Sequence, residues 1–258
     1  METSMSVGFP TNTIVVIILG MIGIGAASWF TLSQLLRHLP LTPRASQMWR
    51  WGAALVLLAW LFVCVDAAIN PPGGAVVPAL LPITFLVGGL LAGAIPLLIS
   101  PAFRQSIRAV PPTRLIGIHA IRVGGFTFLA LLDMKLLPAA FALPAGYGDM
   151  TVALLSLGVV YLLARRHPAA RVLAIGWNVL GLLDFAIAVV TGTLSLVPFS
   201  TQLAVSGASP LYLNYVLIRP AFGVPLYALL HLYSLFQMVS RRVQEAKPAG
   251  KPDKTFAL

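Results

Sequence analysis

Apolar runs of roughly membrane-spanning length recur along the chain, separated by short polar stretches. A helix that crosses the ~30 Å hydrocarbon core of a bilayer needs about 20 apolar residues. Seven runs predict such spans: residues 14–36, 51–69, 78–100, 115–137, 148–164, 172–190 and 211–239. The first and third carry no charge, the second contains only Asp66 and the sixth only Asp184. The fourth holds His119, Arg122, Asp133 and Lys135. The fifth is short and opens at Asp149, after a stretch (138–147) that reads as loop, re-entrant segment or helix. The seventh is long and interrupted by Pro220 and Pro225. The first run has Glu2 as the only charge before it and is longer than a signal-peptide core, so it reads as a retained span.

Composition narrows the class. Hydrophobic residues make up 59% of the 258 positions and charged residues 9%, against about 25% charged in a soluble domain. Too little charge is present to cover a water-facing surface or to keep a chain disordered. The fold class is therefore all-α, a polytopic transmembrane helix bundle. Residues 1–240 form one helical domain, and 241–258 form a basic tail expected to be disordered.

The net charge of +10 changes the picture through its placement. Basic residues cluster in alternate connections: Arg37, Arg44 and Arg50; Arg104, Arg108 and Arg114; Arg165, Arg166 and Arg171; then the tail. Such clusters mark the cytoplasmic side. With seven spans the N-terminus lies outside and the C-terminus in the cytoplasm, and nucleic acid is not the expected partner. The segment 192–210, rich in Ser, Thr, Gly and Pro, reads as an outer loop. The single cysteine, Cys64, reads as a packing residue, and Gly89 and Gly93 form a GxxxG pair suited to close helix approach.

The candidate chemistry lies in the ionisable residues inside spans, which lipid makes costly. Counting ~1.5 Å per residue, Asp66, Asp133 and Asp149 fall near the outer boundary, and Asp184 and Arg219 lie at comparable depth in the outer half. This predicts an outer pair of Arg219 with Asp184 or Asp149. Asp149 is expected at a helix N-terminus, where a carboxylate is favoured. A second layer, nearer the cytoplasm, holds His119, Arg122 and His231, with Asn178 near mid-membrane. His119 and Arg122, three apart, share a helix face. A proline frees the carbonyl four residues before it, and in lipid that group must face a cavity, a partner or water. The breaks at Pro220 and Pro225 therefore add weight to a binding site.

The predicted ligand-binding set is Arg122, Asp149, Asn178, Asp184, Arg219 and His231. No catalytic residue, protein-held metal or certain cofactor follows, although His119 and His231 on different helices are candidates for holding a haem. The leading expectation is a small-molecule or ion transporter or binding protein. The alternatives are a membrane-embedded accessory subunit or assembly factor without chemistry, and a haem- or quinone-linked redox protein. Expected partners are the bilayer, a small-molecule or ion ligand, and a second copy or a membrane complex.

Three stretches carry a resemblance: Phe141-Ala-Leu-Pro-Ala-Gly-Tyr-Gly-Asp149, Trp177-Asn178-x-x-Gly181-x-x-Asp184, and Pro225-Leu-x-x-Leu-Leu-His231-x-x-Ser234-Leu. They resemble motifs of an uncharacterised family of bacterial polytopic inner-membrane proteins, over roughly residues 112–239. The resemblance implies a multi-pass cytoplasmic-membrane location and no particular activity.

Overall fold

The computed structural model describes residues 42–70, 80–205 and 219–245, with isolated positions between 22 and 37. The predicted first span and the start of the seventh lie mostly outside the described residues. All regular structure among the described residues is helical. Among the described residues five helices are long and apolar enough to cross a membrane, or six if one bent pair is a single span. The chain is thus a multi-pass membrane protein.

Helix α1 (Pro43–Ile69) starts eight residues before the predicted span because Thr42 caps it: its side chain accepts from the Ala45 N–H, and Pro43 occupies the first turn. Helix α2 (Leu80–Ile99) stops at Ser100, which caps α3 (Pro101–Ala109) by accepting from the Phe103 N–H. The two axes differ by 100°. Arg104 bridges the corner, its Nη1 donating to the carbonyls of Leu97 and Leu98. These are orphan acceptors at the end of a helix.

The fourth span, Pro112–Asp133, is not one α-helix. It runs as α4 (Pro112–Gly117), a three-ten stretch (Ile118–Gly125) and α5 (Phe126–Asp133). The pair Gly124-Gly125, poor helix formers, ends the three-ten stretch. With three residues per turn, positions i and i+3 eclipse. His119, Arg122 and Gly125 therefore form one row, and all three are buried.

Of the three readings open for 138–147 the structure has helix: from Ala139 the chain belongs to α6 (Ala139–Ala164), a continuous helix with Pro144 inside it. Pro144 comes within two turns of the start, so its missing N–H removes little of the ladder. Asp149 is consequently well inside a helix, which corrects its expected place at a helix N-terminus. The segment 192–205, expected as an outer loop, is likewise helical, as the continuation of α7 (Ala170–Val205). Its hydroxyls return to the backbone one turn earlier: Thr191 to the Ile187 carbonyl, Thr193 to Val189 and Ser195 to Thr191. That lets Ser and Thr sit in an apolar helix without orphaned groups.

The last element opens as a π-helical turn (Arg219–Gly223) and continues as α8 (Val224–Glu245), which carries helix past Arg241 into the predicted tail. Pro225 frees the Ala221 carbonyl, and the Trp60 indole N–H of α1 donates to it at 3.3 Å. The predicted partner for the broken turn is thus a neighbouring helix. Cys64 is buried beside Ala221 and Phe222, as a packing residue should be. Helix α8 is the hub, the most enclosed of the described spans, whereas α1 is largely exposed. The Gly89 and Gly93 pair meets it directly. A Cβ on Gly89 would stand 2.8 Å from Pro225 Cβ, and one on Gly93 would overlap Leu229. The Tyr233 hydroxyl donates to the Gly93 carbonyl at 2.9 Å.

This contact sets an expectation. Gly93→Leu should lower stability by about 1–3 kcal/mol through overpacking. Gly158→Leu, on α6 where nothing lies within 4 Å of a new Cβ, should be neutral or slightly stabilising. Thermal unfolding of the two variants in detergent checks the difference; equal midpoints would refute the tight α2–α8 seam.

Candidate functional site

Four spans place one polar cluster near their midpoints. The three-ten row supplies His119 and Arg122, α6 supplies Asp149, α7 supplies Asn178 and Asp184, and α8 supplies His231 and Ser234. Arg122 is the centre. Its Nε donates to Asp149 Oδ1 at 2.8 Å, and Nη2 lies 2.7 Å from the same oxygen. Nη2 also donates to Asp184 Oδ2. Nη1 donates to His231 Nε2 at 3.2 Å. The guanidinium carbon stands 4.0 Å from the centroid of the Phe185 ring, a cation–π contact in a desolvated place. The side chain of Arg122 is 2% exposed, that of Asp184 10% and that of Asp149 21%.

Proton positions follow from donor counting. Arginine has N–H donors and no acceptor, so His231 Nε2 must accept. The ring proton is then on Nδ1 and is donated to Asn178 Oδ1 at 3.0 Å. The Asn178 amide in turn donates to Ser234 Oγ at 3.0 Å and to the Ala174 carbonyl at 2.7 Å. His231 is therefore a neutral hydrogen-bonding link between the ion cluster and α7.

Three glycines make room for these side chains. A Cβ on Gly125 would stand 2.5 Å from Asp149 Cβ; one on Gly148 would overlap the Asp184 carboxylate, and one on Gly181 the His231 ring. In a close-packed interior such approaches exist only where a side chain has been left out.

The sequence-predicted residues divide clearly. Arg122, Asp149, Asn178, Asp184 and His231 come together. The side chain of Arg219 lies outside the described residues, and with it the predicted outer pair. The two predicted layers are one: Arg122, assigned to the inner layer, takes both carboxylates assigned to the outer half. The long helix α6 accounts for part of this, since starting at Ala139 it places Asp149 a further two and a half turns from its boundary. Asp66 is exposed and accepts from the Asn70 side chain, and Asp133 and Lys135 are also exposed. Gly125, Gly148, Phe185, Ser234 and Gln237 were not singled out as site residues. The one available signal was the spacing of Asn178, Gly181 and Asp184, three apart on one face.

Haem ligation by His119 and His231 does not fit. Their ring centroids are 4.0 Å apart with the planes tilted by 37°, so the rings are in contact with no room for a macrocycle between them. Both nitrogens of His231 are also engaged.

Removing one partner of a buried ion pair leaves a charge uncompensated, at about 3–5 kcal/mol. Asp184→Ala should therefore cost far more stability than Asp66→Ala, whose exposed carboxylate is worth about 0–1 kcal/mol. Matching expression and melting temperatures for the two would contradict the pairing. At His231, Gln retains hydrogen-bonding capacity, whereas Arg sets a second cation against Arg122. His231→Gln should fold with a modest loss and His231→Arg should not accumulate. The comparison fails if Arg is tolerated better than Gln in membrane expression assays.

No curated protein and no solved structure matches the chain. A family match covers residues 78–239, more than half of the sequence, and it takes in α2, the bent corner and every residue of the cluster around Arg122. By that match the chain belongs to the family described as Domain of unknown function (DUF8737).

Proposed function

We infer that this protein is a small-molecule or ion transporter or binding protein of the bacterial cytoplasmic membrane, with its C-terminus in the cytoplasm, and that the Arg122 cluster is its ion site. One observation carries this reading: two carboxylates, Asp149 and Asp184, share a single guanidinium. A helix lock needs one carboxylate per arginine. The second leaves one negative charge in excess, and an uncompensated charge in a low-dielectric interior costs several kcal/mol. A bound proton or other single cation removes that cost. Intramembrane acids paired with a basic residue are the usual parts of ion pathways and proton relays. Asp149, the more exposed of the two acids, is where exchange with water occurs.

A second reading has its own support. Every nitrogen of the Arg122 guanidinium has a partner, and those partners join four spans. An accessory subunit or assembly factor would use such a cluster as helix glue. The direct ring contact of His119 and His231 removes the support that this histidine pair lent to a haem-linked redox protein.

Charge displacement on solid-supported membranes separates the first two readings. In proteoliposomes, an acidifying step should evoke a transient current in the wild type, lost in Asp149→Asn and in Asp184→Asn. A screen of organic anions and cations at fixed pH then seeks the co-substrate. A wild-type response identical to empty liposomes under all these conditions would leave the accessory reading.

A further inference from the structure

Helix α2 has 20 residues, about 30 Å at 1.5 Å per residue, enough to cross the hydrocarbon core by itself. Helix α3 turns from it by 100° and so runs along the surface where the span ends. The apolar face of α3 is used inside the protein. Phe103 meets the Tyr233 ring of α8 edge-on, with centroids 5.6 Å apart, and Ile107 and Val110 are buried in the same core. Gln237 of α8 fixes the end of α3, its Nε2 donating to the carbonyls of Ile107 and Val110. The other face of α3 carries Arg104, which is half-buried, and Gln105 and Arg108, which are exposed.

The two arginines are held in place and lack an anion. Arg104 is fixed through Nη1 to the carbonyls of Leu97 and Leu98, which leaves its Nε and Nη2. The Arg108 guanidinium carbon lies 5.1 Å from the centroid of the Phe236 ring on α8. Four apart on one helix, the two residues have Cβ atoms about 5–6 Å from each other, and like charges at that spacing repel. Among the described residues no carboxylate pairs with either. An apolar track ends at the same place. Val87, Leu91, Ile95 and Leu98 share one face of α2, and all four are exposed, Leu98 the most at 73%. Arg104 binds the Leu98 carbonyl at 2.7 Å, so its guanidinium stands at the foot of this track.

We propose that the α2–α3 corner is a binding site for one anionic phospholipid of the surrounding bilayer. An acyl chain lies along Val87, Leu91, Ile95 and Leu98, and the headgroup phosphate bridges Arg104 and Arg108. Guanidinium donors match phosphate oxygens in geometry, and contacts that already hold both side chains reduce the entropy lost on binding. Charge selects the headgroup. A zwitterionic lipid carries the same phosphate but brings an ammonium group that two guanidiniums repel, whereas an anionic one relieves the repulsion between them. A free phosphate would meet the same cations but gain nothing from the apolar track. The bound lipid ties the corner to α8, because Phe103, Ile107 and Arg108 all pack on that helix. The site is separate from the Arg122 cluster and does not depend on what that cluster does.

The test titrates the full-length protein in detergent with dioleoyl phosphatidylglycerol, dioleoyl phosphatidylcholine or inorganic phosphate. Bound lipid is counted by native mass spectrometry, and thermal unfolding is followed in parallel. The wild type should retain one phosphatidylglycerol under conditions that strip phosphatidylcholine, and its melting temperature should rise with phosphatidylglycerol alone. Arg108→Gln should weaken the binding about fivefold, and Arg104→Gln combined with Arg108→Gln about 25-fold. Arg165→Gln combined with Arg166→Gln removes an exposed basic pair just past the end of α6 and should bind as wild type. Because Arg104 also caps α2, Arg108→Gln decides if the double variant does not fold. Unchanged phosphatidylglycerol binding in Arg108→Gln would overturn the site. So would an equal loss in the Arg165 and Arg166 variant, which would mean attraction to surface charge in general. A melting shift from inorganic phosphate as large as that from phosphatidylglycerol would make the corner a free-anion site and overturn the lipid.

Discussion

A guanidinium buried in an apolar helix bundle constrains everything around it. Arg122 cannot lose its charge and its side chain is almost fully buried, so the surrounding helices must supply anions and acceptors. Asp149, Asp184 and His231 do so from three different helices. Those helices must approach within side-chain reach of one point, which explains the glycines at 125, 148 and 181. The family match, beginning at residue 78, covers the helices that meet at this point together with the α2–α3 corner that packs on α8.

The hub position of α8 follows from the same demand. It presents His231 to the cluster and, one and two turns on, Ser234 and Gln237 to α7 and to the end of α3. Its other contact, with Gly89 and Gly93 of α2, is apolar and tight. One helix thus joins an electrostatic interface to a van der Waals interface. In lipid, where helix association has no hydrophobic drive, both are needed to fix its position.

Much of this was legible in the sequence. Hydropathy gave the membrane class, both ends of α2 and the start of α7 to within two residues, but not the end of α7 at Val205. The cost of charge in lipid picked out Arg122, Asp149, Asp184 and His231; the proline breaks, read as support for a binding site, are met at Ala221 by the Trp60 side chain of a neighbouring helix. What failed was pairing. Depth counted along ideal helices assigned Arg122 and the two acids to separate layers, because it could not include the extra turns of α6 or the length of an arginine side chain. Gly and Pro in 138–147, and Ser and Thr in 192–205, carried loop-like composition. Both segments are helical because a proline near a helix start and hydroxyls bonded one turn back are cheap in lipid. The Ser234 and Gln237 contacts of α8 escaped notice since Ser and Gln are not charged and raise no alarm in a hydropathy profile.

The three-ten winding of Ile118–Gly125 has a geometric consequence for the whole span. Rising about 2.0 Å per residue instead of 1.5 Å, these eight residues are about 4 Å longer than they would be as α-helix. Rewound as α-helix, at 3.6 rather than 3.0 residues per turn, Arg122 would rotate by about 60° relative to His119. The height and the bearing of the buried Arg122 cation are therefore both set by the local pitch of the backbone that carries it.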